Sequence, residues 1–136
     1  MLPSSNPSAH KNTSIDTNTE SPSYRAVIKS LADTKTWLFV PATRIDRVEK
    51  AFASGADAVI VDLEDAVAQA DKAQARAALK AYYAAEHEAQ SYRPFWLRIN
   101  QASSAEFAKD LVLCQQLPKL AGVLLAKAEQ AADIEK

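Results

Sequence analysis

The sequence predicts a parallel α/β fold, and three observations carry that prediction. From Thr36 onward, short apolar runs rich in β-formers alternate with segments of helical periodicity. No join between them has a hairpin turn signal, so successive strands run parallel through right-handed crossovers. Each apolar run also ends in polar or charged residues, and parallel α/β folds place their ligand sites at that strand edge.

The elements follow in order. Trp37-Leu38-Phe39-Val40 is the first strand, stopped by Pro41. Thr43 is placed to cap a helix whose apolar positions Ile45, Val48 and Phe52 share one face, and Gly55 supplies the left-handed residue after its end. Ala58 to Leu63 is the second strand, almost continuously apolar, as expected where both faces are covered. Asp71 opens a second helix, with Ala75, Ala78, Leu79 and Tyr82 on one stripe. Phe95 to Ile99 is the third strand. Ser103 and Glu106 read as a capping box ahead of Phe107, Leu111 and Cys114. Gly122 to Lys127 is the fourth strand, and Glu129 begins a last helix.

Residues 1–34 differ in kind. Met1 to Ser23 is dominated by Ser, Thr, Asn and Pro with almost no large apolar side chains. Such a segment buries too little surface to offset its ordering entropy, so it is expected to be a disordered tail, with a short lead-in helix over 24–32. It has neither the apolar core of a signal peptide nor the arginine-rich amphipathic character of an organelle transit sequence. The folded domain is assigned to 35–136.

Composition narrows the function classes. The chain has 136 residues, 48% of them hydrophobic, and a net charge of −1. With no basic stripe, nucleic acid is not expected as a partner. The longest apolar runs are too short to cross a bilayer, so no membrane association is expected. One cysteine, Cys114, excludes an internal disulfide; it reads as a core thiol and fits a reducing compartment, hence a cytoplasmic protein. His10 lies in the tail and His87 late in a polar helix, so neither is read as functional.

The strand ends assemble one rim. Strand one runs into Thr43 and Arg44, strand two into Asp62, Glu64 and Asp65, strand three into Arg98 and Asn100, and strand four into Lys127. Charged groups there are costly to bury unless paired. The guanidinium of Arg98 offers a planar fork that takes a carboxylate through two hydrogen bonds. Asn100, two residues on and so on the same side, adds a donor. The acids facing that arginine suit either internal pairing or the water shell of a divalent cation such as Mg2+. Periodicity alone leaves two architectures open, a doubly wound sheet and the first half of a (β/α)8 barrel. A complete barrel takes about 250 residues.

At these residues a family resemblance emerges. The strings TWLFVPATRIDRVEKAFASGADAVIVDLEDAVAQADKAQAR, WLRIN and GVLLAKAEQAADI, in that order, closely resemble the opening of citrate lyase β-subunit-like and malyl-CoA lyase-like proteins of the HpcH/HpaI aldolase superfamily. The match covers about residues 36–136. It implies the N-terminal half of a (β/α)8 TIM barrel, about four βα units, from a Mg2+-dependent carbon–carbon lyase. Its substrates would be a β-hydroxy acyl-CoA (citryl-, malyl- or citramalyl-CoA) or a short oxo acid, with the CoA thioester as substrate rather than cofactor. Homo-oligomers are expected of the full-length family.

Carried over by motif, Arg98 of LRIN would bind the substrate carboxylate, with Asn100 beside it. Arg44 and Lys127 would position the substrate or its CoA portion. Asp62, Glu64 and Asp65 would take hydrogen bonds from the metal's waters. Ala42 and Thr43 stand where the family often has Gly and Asn, and Ala126 where it often has Pro. Ala42 and Thr43 lack glycine's backbone freedom, which counts against close approach of a CoA phosphate there. The family's direct metal ligands, one Glu and one Asp, come from strands after the fourth, beyond Lys136, so the 136-residue chain is expected to be inactive alone. A non-catalytic half-barrel is the alternative. A phosphoacceptor receiver module would use Asp62 and Lys127, but it needs an acid pair after strand one, where this chain has LFVPATR.

Overall fold

The computed structural model describes residues 31–84, 93–118 and 120–135. Most of the expected tail, and both histidines, lie outside them. Of the lead-in helix expected over 24–32, only Leu31 and Ala32 are described, in a single 3-10 turn, Leu31–Asp33. Four strands, β1 (Trp37–Pro41), β2 (Ala58–Asp62), β3 (Phe95–Ile99) and β4 (Leu120–Leu125), form one sheet. All pairings are parallel and the order is β1-β2-β3-β4. A doubly wound sheet would place β1 inside this order, so the sequential order is that of a barrel segment. The intervening helices are α1 (Val48–Ala53), α2 (Lys72–Ala84), α3 (Phe107–Gln116) and the short α4 (Ala131–Ile134).

The period-2 alternation of strands divides the sheet into two chemically different faces. On one, Val40, Val59, Val61, Phe95, Leu97 and Ile99 are buried in one cluster with Val48 and Ala51 of α1, Ala75, Leu79 and Tyr83 of α2, and Leu113 of α3. Each large aliphatic side chain fully buried there contributes about 1.5–3 kcal/mol. The other face carries Trp37, Phe39, Ile60, Trp96 and Gly122, the set that points inward in a closed barrel. Trp37 meets Trp96 edge-on at 5.3 Å. Trp96 in turn lies over Gly122, where a Cβ would come 2.1 Å from the indole, so only glycine fits beneath that ring. β2 is buried at every position, as its continuous apolar run predicts.

Local boundaries depart from the sequence reading in several places. Thr43 caps nothing: Ala42–Arg47 form a 3-10 segment broken at Arg44 (φ −123°, ψ 51°), and α1 starts only at Val48. Asp71 ends a 3-10 turn, and α2 begins one residue later. The Ser103–Glu106 capping box is absent; Ser104 Oγ accepts the Glu106 N–H, and the Glu106 carboxylate is drawn away to Arg76. β4 begins and ends two residues earlier than expected. The final helix begins at Ala131 rather than Glu129, because Gln130 and Asp133 form the capping box. Gly55 does adopt the left-handed conformation, at φ 85°.

Candidate functional site

Register builds the centre of the site. Asp62 ends β2 and stands directly opposite Arg98 on β3. Arg98 Nε donates to Asp62 Oδ1 at 2.8 Å, and Nη2 donates to Oδ2 at 2.6 Å. Asp62 also accepts the backbone N–H of Glu64 on Oδ1 and that of Ala66 on Oδ2, at 2.9 and 3.1 Å. Each oxygen thus has two donors. Burial, the largest single influence on this carboxyl, pushes its pKa up; the hydrogen bonds from Arg98, Glu64 and Ala66 outweigh it and hold the net value below the ordinary carboxylate range. Glu64 Oε2 lies 3.7 Å from Arg98 Nη2. The Arg98 guanidinium reaches across β2 to sit 4.9 Å from the ring centroid of Phe39.

Lys127 closes the cluster from β4. Its backbone is left-handed, at φ 51°, which costs a residue with a Cβ about 1–3 kcal/mol unless its surroundings impose it. Its ammonium lies 2.6 Å from Glu64 Oε1 and 3.3 Å from Asp65 Oδ1. Those contacts raise the Lys127 pKa, and the hydrogen bond from Lys127 lowers that of Asp65. Five residues named from sequence therefore meet: Asp62, Glu64, Asp65, Arg98 and Lys127. A cavity of about 270 Å³ opens beside them, its lining including Glu64, Asp65, Lys72, Asn100 and Lys127.

Two named residues lie differently. Arg44 makes its bidentate pair with Asp46, at 3.0 and 2.8 Å, on the exposed surface rather than with the rim acids. Asn100 lines the cavity but does not join Arg98: β3 has ended, strict alternation has lapsed, and the amide donates to Leu63 O and Asp110 Oδ2. There it belongs to a second charged cluster, on the helix-covered face, that the sequence reading missed. Arg76 of α2 bridges Glu106 and Asp110 at 2.5 and 3.0 Å, while Asp110, fully buried, also takes the Asn100 backbone N–H. Lys72, buried one turn before Arg76, donates to the carbonyls of Leu63 and Glu64 at 2.7 and 2.9 Å and so fixes the loop that carries the site acids. The signal was present as two i, i+4 pairs, Lys72/Arg76 and Glu106/Asp110, on successive helices.

Among the described residues, no group of three or more His, Cys, Asp or Glu side chains is arranged to hold a metal ion. No described helix is long and apolar enough to cross a membrane. Cys114 is half-buried, and burial pushes its thiol up to about 11, consistent with an inert packing role.

Known proteins resemble this chain in sequence and fold. A citrate lyase subunit beta-like protein of Mycobacterium tuberculosis is 43% identical over 103 residues, which span 72% of this chain and 33% of that protein. A (3S)-malyl-CoA thioesterase of Cereibacter sphaeroides is 35% identical over 98 residues, 72% of this chain and 33% of that protein. The chain thus spans about a third of the length of these curated relatives. Among solved structures, CitE from M. tuberculosis in complex with magnesium, acetoacetate and coenzyme A superposes with a TM-score of 0.62 at 39% identity, over 76% of this chain and 36% of that one. The citrate lyase beta subunit from the same organism, complexed with oxaloacetate and magnesium, gives 0.60 at 40% identity, over 73% of this chain and 41% of that one. Residues 35–136 match the family described as HpcH/HpaI aldolase/citrate lyase, and the chain belongs to that family.

Proposed function

We propose that this chain carries the carboxylate-recognition part of a Mg2+-dependent carbon–carbon lyase. Its substrate would be a β-hydroxy acyl-CoA such as citryl-, malyl- or citramalyl-CoA, or a short oxo acid. The observation that carries the reading is Arg98, partly exposed at the C-terminal strand edge, in a family whose solved members hold oxaloacetate or acetoacetate. A guanidinium binds a carboxylate through parallel charge-assisted hydrogen bonds, which fix orientation as well as charge. Lys127 adds a second cation at the same edge, suited to the acyl-CoA end of the substrate; Arg44 would reach it only by leaving Asp46.

The described residues do not fit direct metal coordination. Asp62 has all four acceptor positions filled, which removes it from the expected set of water acceptors. Glu64 and Asp65 remain as acceptors for waters of a bound ion, once Lys127 shifts from them. When bound, the ion would stabilise negative charge developing on the oxo acid. The family resemblance puts its direct ligands on strands after the fourth, so residues 1–136 alone would bind Mg2+ weakly and turn nothing over. The assay follows free CoA or oxo acid after adding Mg2+ and citramalyl-, malyl- or citryl-CoA to the purified chain. No turnover is expected. Metal-dependent turnover that Arg98→Ala abolishes contradicts this reading of the metal site.

A further inference from the structure

Arg98 is held from two sides, by the carboxylate of Asp62 and the ring of Phe39. Asp62 occupies its Nε and Nη2 edge, and its own lone pairs are saturated by that grip and by two backbone N–H groups. The ring of Phe39 covers one face of the guanidinium at 4.9 Å. Among the described residues, no hydrogen bond or ion pair reaches Nη1. A guanidinium has one further edge where two parallel donors meet a carboxylate, the one formed by Nη1 and Nη2; Glu64 Oε2 stands 3.7 Å from its Nη2 side, beyond hydrogen-bond distance, and leaves that edge without a hydrogen-bond partner among the described residues.

We propose that Asp62 and Phe39 are positioning residues, which lock Arg98 so that its Nη1/Nη2 end is presented to an incoming carboxylate. This rests on the reading of Arg98 as the substrate's carboxylate partner. A freely rotating arginine would lose side-chain entropy when it grips a ligand; one already fixed in two planes loses little. Asp62 also partly neutralises the guanidinium, so the site selects a carboxylate by geometry more than by charge alone. The lock is written into the register: Asp62 and Arg98 are paired across β2 and β3, and Phe39 lies on the same sheet face.

The test reads the Nε–Hε resonance of Arg98 in residues 1–136 by nuclear magnetic resonance, with exposed Arg47 as reference. In the native protein this proton should exchange with solvent more slowly than that of Arg47 by about tenfold or more, as a charge-assisted bond requires. Asp62→Asn should remove that protection. Phe39→Leu should keep it but abolish the ring-current shift of the guanidinium protons, so it tests the lock even where Asp62→Asn folds poorly. Added pyruvate should move the Nη signals and leave Nε protected. Loss of Nε protection on adding pyruvate, or exchange matching Arg47 in the native protein, overturns the inference alone. A protected Nε with no Nη response to pyruvate overturns the free end's role together with the carboxylate reading of Arg98.

Discussion

The molecule contains two arginine–carboxylate clusters of similar chemistry on opposite faces of one sheet. Arg76 sits between helices, bridges Glu106 at the N-cap of α3 and Asp110 one turn on, and meets Asp110 where that acid has no exposure at all. Arg98 lies on the face that α1 to α3 leave uncovered, makes its hydrogen bonds to one acid across a strand register with Glu64 at 3.7 Å, and keeps Nη1 free of hydrogen bonds among the described residues. The first ties α2, α3 and the end of β3 into one body. The second adds less to cohesion and leaves binding capacity in reserve. The residue type is the same; which sheet face it occupies, and how much of its fork is already used, separates structure from site.

The comparison breaks most visibly at Asp110. Removing one partner from a buried charge network strands the others, so Asp110→Ala should cost about 3–5 kcal/mol, read as a fall in the denaturant midpoint. A loss no larger than that of an ordinary surface substitution would mean the helix-side cluster is not the structural one.

The same cluster should govern the acid limb of stability. The hydrogen bond from Lys109, then that from Arg76, holds the Glu106 carboxyl down to about 2, against an ordinary 4.5. A depressed carboxylate stabilises the fold fully above its unfolded pKa and loses that contribution as pH falls through the folded one. The native protein should therefore lose stability between pH 4.5 and 2, and the gap to Glu106→Gln should close over that window. A gap independent of pH would remove Glu106 from the account.

On the uncovered face the expected effect is smaller. Gly122→Ala drives a methyl into the Trp96 ring. With solvent available for the indole to move into, the cost should be about 1–3 kcal/mol, with a changed tryptophan emission. Unchanged emission would mean that Trp96 does not rest on Gly122.

The fold was largely legible because its signals were local. A continuous apolar run gave β2, a run rich in β-formers gave β3, Gly55 marked a helix end, and the polar strand ends gathered the charged rim. The motif string supplied the choice of barrel over open sheet, which periodicity could not make. What escaped was set by tertiary competition. Glu106 has the spacing of a capping acid, yet Arg76 outbids a backbone N–H for its carboxylate. Asn100 has the parity of Arg98, yet strand geometry ends before it. Asp62 was legible as an acid at the end of its strand, but its partner could be known only from the β2–β3 register.

The central claim is that Arg98, unlike Arg76, contacts the substrate. It is tested most directly by a chimera in which residues 35–135 replace the matched segment of the M. tuberculosis citrate lyase subunit beta-like protein. Calorimetry would measure oxaloacetate binding in the presence of Mg2+. Arg98→Ala should leave the chimera folded and weaken binding by about 30-fold to several thousand-fold, the scale of removing one partner of a charged hydrogen-bonded pair. Arg76→Ala should lower the denaturation midpoint and leave the affinity of the folded fraction near its original value. Unchanged affinity in Arg98→Ala would contradict the account.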